Sequence, residues 1–209
     1  MEENECSTMA YRLRGWLVAF TDLEHGTVQN PVPAAWRKQA VEHLLWPIYA
    51  SSSFAFSAVG VLNIVALQMH PEKVLYQGEW IEGVLWIWQG IASFWCDVHD
   101  FARPSISHPV DRVSAMLLSI QQCIKYSIFF ILGHYFSLPG DPWARGTAIA
   151  GIVIGGYCFH RSCRAVREGS MGAFLAWHAA WHFVLPAAIA WFLVIFYFLP
   201  GESSLATAR

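Results

Sequence analysis

Two long stretches of this sequence contain no charged side chain, from Leu44 to Leu67 and from Met171 to Leu199. About 20 consecutive apolar residues cross a lipid bilayer as a helix, whereas runs of about 10–14 suit a core helix of a soluble domain. Charged residues are also scarce, at 13% of the chain, whereas soluble domains contain about 25%. We therefore expect both stretches to be transmembrane helices.

Three shorter or interrupted apolar stretches are further candidate spans, namely Trp80 to Cys96, Val110 to Phe136 and Trp143 to Phe159. Lys125 lies near the middle of the second, where a charge costs about 2.5–3.5 kcal/mol on insertion scales. It can snorkel, pair with a carboxylate or mark a break between two short helices. We interpret this stretch as one helix, because neither half reaches bilayer length.

The sequence therefore predicts an all-α fold, a polytopic transmembrane helix bundle of about five spans, with six or seven as alternatives. The expected organisation is an N-terminal segment (1–41), the bundle (42–200) and a C-terminal tail (201–209). Within the first segment, Tyr11 to Phe20 fits either a short interfacial helix or an ordinary loop.

The basic residues predict the orientation of these five spans. Most Lys and Arg side chains fall on the side of the N-terminus, which the positive-inside rule makes cytoplasmic. That side holds Arg12, Arg14, Arg37, Lys38, Arg103, Arg112, Arg161, Arg164 and Arg167, against Lys73, Arg145 and Arg209 on the other.

Two histidines lie four residues apart in the last apolar stretch, His178 and His182. Residues at this spacing share one helix face, so the two imidazoles can bind a single metal ion. At about 1.5 Å per residue from Met171, they lie roughly 10 and 16 Å into the membrane. The alternatives are hydrogen bonding to neighbouring helices, or heme ligation in which His134 and His160 would also be candidates.

Two other polar groups are expected on the same side of the membrane. Ser93 and Asp97 share a face at the end of the second span, and Asp111 opens the third. His99 is an alternative ligand to Asp97, and Asp111 could simply favour a helix N-terminus. Because the histidine pair starts the fifth span, the topology favours one shared polar pocket in the cytoplasmic leaflet.

These residues resemble the CREST superfamily of membrane hydrolases, which includes the alkaline ceramidases, the GPI-anchor lipid-remodelling factors and the adiponectin-receptor relatives. That superfamily has Ser-xxx-His at the end of the second span, Asp at the start of the third and His-xxx-His in the last of seven spans. The resemblance covers roughly Ser93 to Asp111 and the stretch WHxxWHF from Trp177 to Phe183. Asp97 stands where the superfamily has its third histidine.

The resemblance implies that His178 and His182 are zinc ligands, that Ser93 lies beside the catalytic water and that Asp111 transfers protons. Asp97 would complete the metal site, since two histidines and one carboxylate form a known catalytic zinc set. The implied activity is zinc-dependent hydrolysis of an amide or ester bond in a membrane lipid. The alternative is a catalytically inactive lipid-binding or helix-scaffold protein that retains the histidine pair.

Composition gives little support to other functional classes. No basic cluster suggests a nucleic-acid partner, and five cysteines without paired-ligand spacing suggest neither a disulfide framework nor a cysteine zinc site. We expect an integral, multi-pass protein with a cytoplasmic N-terminus in the ER or Golgi membrane. No segment specifies the organelle, the lipid or the oligomeric state.

Overall fold

The computed structural model describes residues 32–73, 78–136 and 142–199, with the backbone alone at 126, 129–136 and 142–145. Within these ranges the chain forms helices and turns and no strand, which confirms the all-α prediction. The candidate interfacial helix at Tyr11 to Phe20 and the tail 201–209 lie outside the described residues.

The helices follow one another with short connections. In chain order they are α1 (Trp36–Glu42), α2 (Trp46–Ser52), α3 (Phe54–Met69), α4 (Glu79–Phe94), α5 (Ser107–Phe136), α6 (Pro142–Arg167) and α7 (Met171–Leu193). One π-helical turn, Trp95–His99, continues α4 and another, Val194–Phe198, continues α7. Among the described residues, two helical stretches are long and apolar enough to cross a membrane, Trp46–Met69 and Met171–Phe198.

Two of the sequence predictions about helix extent have different outcomes. The stretch around Lys125 is one continuous helix, α5, as expected. The candidate span from Trp143 to Phe159 lies within a longer helix, because α6 continues to Arg167. Hydropathy falls where the basic residues begin, but those residues are good helix formers and the helix does not stop there.

Five helices form a closed ring in which each packs against its neighbours in sequence. Thus α3 contacts α4, α4 contacts α5, α5 contacts α6, α6 contacts α7, and α7 returns to α3. The α3–α4 pair is antiparallel, because Asn63 near the end of α3 donates to the carbonyl of Glu79 at the start of α4. The ends of α2 and α4 and the starts of α5 and α7 therefore meet at one end of the bundle.

Glycines allow the close approach of two helix pairs. A Cβ on Gly60 of α3 would overlap the carbonyl oxygen of Gly83 of α4, and a Cβ on Gly151 of α6 would overlap the Cβ of Ala188 of α7. Gly151 and Gly155 form a small-xxx-small pair, a pattern that marks tight packing of membrane helices.

Lys125 is paired with a carboxylate inside the bundle, one of the three alternatives left open by the sequence. Its ammonium lies 2.9 Å from the Glu82 carboxylate of α4 and 3.7 Å from that of Glu79. Gln122, one turn earlier on α5, donates to the other oxygen of Glu82 at 2.9 Å. All of these side chains are buried, so α4 and α5 are joined by charge as well as by apolar packing.

Candidate metal centre

The end of α4 presents Ser93 and Asp97 towards the interior of the bundle. Both are buried, and they are four residues apart, which places them on one helix face. The π turn that contains Asp97 is closed by a hydrogen bond from the Asp100 amide to the Trp95 carbonyl at 3.0 Å. Such turns are frequent at functional sites, since they re-aim side chains within a helix.

Three predicted ligands converge at this point. Each of Asp97, His178 and His182 offers a ligand atom within 4.8 Å of the other two. The Nε2 atoms of His178 and His182 lie 3.3 and 3.5 Å from the same Asp97 oxygen, Oδ2. The group can therefore hold a metal ion, as the helix spacing and the topology predicted.

The separations of these atoms are compatible with a shared metal ion. Zinc–nitrogen and zinc–oxygen bonds of about 2.0–2.1 Å place two ligand atoms of a tetrahedral site about 3.3–3.4 Å apart. Hydrogen bonds from N–H to oxygen are usually about 2.7–3.2 Å. The contact of His178 with Asp97 at 3.3 Å is a long hydrogen bond, that of His182 at 3.5 Å is longer still, and both distances are close to the tetrahedral value.

Ser52 of α2 is the hydrogen-bond partner of His182 on the side of the ring away from Asp97. Its hydroxyl donates to the Tyr49 carbonyl at 2.7 Å and also lies 2.9 Å from Nδ1 of His182. A hydroxyl has a single proton, so while Ser52 donates to Tyr49 it accepts a hydrogen bond from Nδ1–H of His182. In that tautomer the Nε2 lone pair of His182 faces the carboxylate of Asp97, an arrangement that a cation between them would stabilise.

The predicted catalytic pair, Ser93 and Asp111, is also in direct contact. The Ser93 hydroxyl donates to Oδ1 of Asp111. Gln89, one turn before Ser93, donates from Nε2 to the same oxygen at 2.7 Å and to the Ser93 hydroxyl at 3.1 Å. Asp111 is close enough to interact electrostatically with Asp97 and His178, so the pair and the ligand group form one polar site.

His99, the alternative ligand, points elsewhere. Its ring packs against Trp95 with centroids 4.8 Å apart, and Nδ1 lies 2.8 Å from the Asp100 carboxylate. Burial raises the pKa of Asp100, but hydrogen bonds from Ser105, Ser107 and His99 outweigh it and hold that pKa below its ordinary value. His99 is therefore hydrogen-bonded to Asp100 and is not one of the three converging side chains.

Aromatic side chains surround the histidine pair. The ring of Tyr49 lies 5.5 Å from that of His178, and Phe174, one turn before His178, lies 5.2 Å from it. Phe56 contacts the ring of His182 edge-on at 5.1 Å. These contacts limit rotation of both imidazoles, so the ligand positions are fixed by packing as well as by Ser52.

Sequence reasoning missed three side chains of this site, Ser52, Gln89 and Tyr49. A signal existed for Gln89, because a polar residue in an apolar span is a functional candidate by default. Ser52 lies among three successive serines, and the sequence alone does not distinguish them.

The structure gives no support to heme ligation. The rings of His178 and His182 lie 4.6 Å apart and face the same carboxylate. His160 is exposed on α6, and the side chain of His134 lies outside the described residues.

Comparison of the chain with protein-family models, with curated proteins and with solved structures gave no match.

Proposed function

We propose that this chain is a zinc-dependent membrane hydrolase that acts on an amide or ester bond of a lipid, as a divergent relative of the CREST superfamily. The observation that carries the proposal is the convergence of Asp97, His178 and His182, whose ligand atoms all lie within 4.8 Å of one another. The Nε2 atoms of both histidines lie near the same carboxylate oxygen of Asp97. A cation held between them would be bound by all three side chains.

The donor set fits zinc. Two imidazole nitrogens and one carboxylate oxygen are the protein ligands of several catalytic zinc sites, which keep a fourth position open. When bound, zinc would polarise a substrate carbonyl and lower the pKa of a water molecule at that position. Asp97, His178 and His182 would hold the ion, and Ser52 would orient one of the imidazoles.

The remaining polar residues provide proton transfer and positioning. Ser93 is fixed by its hydrogen bond to Asp111, and its oxygen can also accept a hydrogen bond from a nearby donor. The Asp111 carboxylate can accept a proton and return it, the role of a general acid–base group. Gln89 holds both side chains in this geometry, so it is a positioning residue.

The proposed setting is an integral membrane protein of five spans, α3 to α7, with a cytoplasmic N-terminus in the ER or Golgi. Exposed apolar side chains on α3, α4 and α5, including Val61, Trp88 and Leu117, suit contact with lipid tails. In that orientation the metal centre lies in the cytoplasmic leaflet, where a lipid substrate can reach it sideways.

The metal content of purified protein tests the proposal. We expect about one zinc per chain in wild type, less than a tenth of that in a His178→Ala, His182→Ala double variant, and no change in the control His160→Ala. Asp97→His, which restores the histidine of the superfamily, should retain zinc, whereas Asp97→Ala should lose it. Substoichiometric zinc in wild type, or zinc retained by the double variant, refutes the metal site.

A non-catalytic lipid-binding or scaffold protein is the second candidate, and one contact favours it. The pair formed by His178 and Asp97 at 3.3 Å can also be a direct ion pair that joins α7 to α4 without metal. This candidate predicts that histidine substitutions lower thermal stability while metal content is unaffected. Hydrolysis of ceramide or phospholipid by the wild type, lost in Ser93→Ala, would exclude it.

A further inference from the structure

An arginine on the outer surface of the bundle is positioned by two aromatic side chains. The guanidinium of Arg161 on α6 lies over the ring of Trp177 on α7, 5.1 Å from its centroid. One of its nitrogens lies 3.5 Å from the hydroxyl of Tyr157, one turn earlier on α6. The rings of Tyr157 and Trp177 meet edge to face with centroids 5.9 Å apart. We call these three residues the Arg161 platform.

The charge of Arg161 is not neutralised by a neighbouring side chain. In the part of the chain that the structure describes, no carboxylate forms an ion pair with it, whereas Arg164 on the same helix pairs with Glu168 at 2.5 Å. A guanidinium carries several N–H donors in a rigid fork, and the Tyr157 hydroxyl engages one of them. The platform therefore presents a positioned cation with further donors, which is the chemistry that recognises a phosphate group.

The platform lies near the cytoplasmic edge of the membrane in the proposed orientation. Arg161 is six residues before the end of α6, and Trp177 is six residues after the start of α7. Both are therefore roughly 9 Å from these helix ends, in the region where membrane proteins concentrate Trp and Tyr beside lipid headgroups. Deeper on the same face of α6, Ile154 and Val153 are 51% and 66% exposed. These apolar side chains suit contact with a lipid tail.

We propose that the Arg161 platform binds an anionic phospholipid of the cytoplasmic leaflet, with the lipid phosphate on the Arg161 guanidinium and an acyl chain along α6. The charge favours an anionic headgroup, because the platform has no carboxylate to pair with the ammonium of a zwitterionic lipid. The exposed apolar face below Arg161 favours a lipid over a soluble anion. The inference uses the membrane setting of the proposed function but neither its metal nor its reaction.

Native mass spectrometry of the full-length protein, released from micelles that contain phosphatidylserine or phosphatidylcholine, tests the binding. We expect wild type to bind phosphatidylserine several-fold more tightly than phosphatidylcholine. Arg161→Gln should weaken the binding of phosphatidylserine by about fivefold or more, the contribution of one basic residue at an anionic membrane surface.

The matched control is Arg164→Gln, which should bind phosphatidylserine as wild type does. Both substitutions remove one positive charge from the same end of α6, so a diffuse attraction between the protein and anionic lipid would weaken binding equally in the two variants. Equal weakening, or equal affinity of wild type for the two lipids, overturns the inference.

Two further measurements test the aromatic contact and the lipid. Trp177→Leu keeps the charge of Arg161 but removes the ring beneath it, and it should weaken binding several-fold; wild-type affinity in this variant overturns the platform. Soluble glycerophosphoserine has the same headgroup without acyl chains and should not displace phosphatidylserine at equal concentration. Displacement would show that the surface binds a free anion, which overturns the assignment to a lipid.

Discussion

Ser52 shows how one hydroxyl on a helix of only seven residues can determine the chemistry of a site on another helix. It is fully buried and lies against His182, which is 1% exposed. Its hydroxyl lies within hydrogen-bond distance of both the Tyr49 carbonyl and Nδ1 of His182. The imidazole of His182 is thus oriented by a side chain of α2.

We predict that Ser52→Ala weakens metal binding about 10- to 100-fold, the usual effect of removing a partner of a ligating histidine. The control is Ser51→Ala, because Ser51 is exposed and bonds only to the Ile48 carbonyl of its own turn. Titration against a competing chelator measures both affinities. Equal weakening in the two variants would mean that the effect comes from α2 and not from His182.

The residues of the candidate site differ in how far the sequence could reveal them. His178 and His182 share a face by spacing alone, and the order of the spans brings Asp97 and Asp111 to the same end of the bundle. Ser52 and Gln89 depend on how far each helix is rotated and at what depth it packs. A hydropathy pattern carries no information on helix rotation or packing depth, so these contacts could not be predicted from the sequence.

At the scale of elements, the α4–α5 pair combines close packing with a buried ion pair. The Glu82 and Lys125 side chains are 1% and 6% exposed. Removing one partner of such a pair leaves an uncompensated charge in a medium of low dielectric constant, which costs about 3–5 kcal/mol. The pair therefore fixes the register between the two helices.

We expect Lys125→Met to lower the free energy of unfolding by about 3–5 kcal/mol. The double variant Glu82→Gln, Lys125→Met should lose less of that free energy than the two single variants lose together. The comparison is Arg164→Met, which breaks the exposed i,i+4 pair with Glu168 and should hardly change the free energy of unfolding, because water screens an exposed pair. Denaturant unfolding in mixed micelles gives these values. Similar losses for Lys125→Met and Arg164→Met would contradict the buried pair.

Two glycines of α6 allow a matched test of packing against α7. A Cβ at Gly151 would overlap Ala188, whereas a Cβ at Gly156 meets nothing within 4 Å. We predict that Gly151→Ala lowers thermal stability, while Gly156→Ala leaves it unchanged or raises it by up to about 1 kcal/mol through helix propensity. A stabilising Gly151→Ala, measured by the same thermal unfolding, would show that the two helices do not approach so closely.

At the scale of the whole molecule, the sequence revealed the order of the helices better than their limits. Five apolar stretches correspond to the five helices of the ring, and the uncertain one around Lys125 is continuous. The end of α6 was missed because Arg161, Arg164 and Arg167 interrupt the apolar run without interrupting the helix. The apolar run shows which part of a helix can face lipid. The helix itself ends only where its backbone hydrogen bonds end, which in α6 is further along the chain.

The orientation can be tested with single cysteines at the two ends of the bundle. Glu168 follows α6 and Glu72 follows α3, and both are exposed. With Cys6, Cys123 and Cys163 replaced by serine, we expect an impermeant maleimide to label Glu168→Cys only from the cytoplasmic side and Glu72→Cys only from the opposite side. Labelling of both from one side would refute an odd number of spans between them.

The closure of the ring by α3 and α7 has a consequence for biosynthesis. The chain emerges from the ribosome in order, so Asp97 and Asp111 are made before Met171–Leu193, the helix that carries His178 and His182. Until then Asp97 has neither of these histidines beside it, and the side of the bundle where α7 packs is open. The candidate metal centre can therefore form only after α7 has been made.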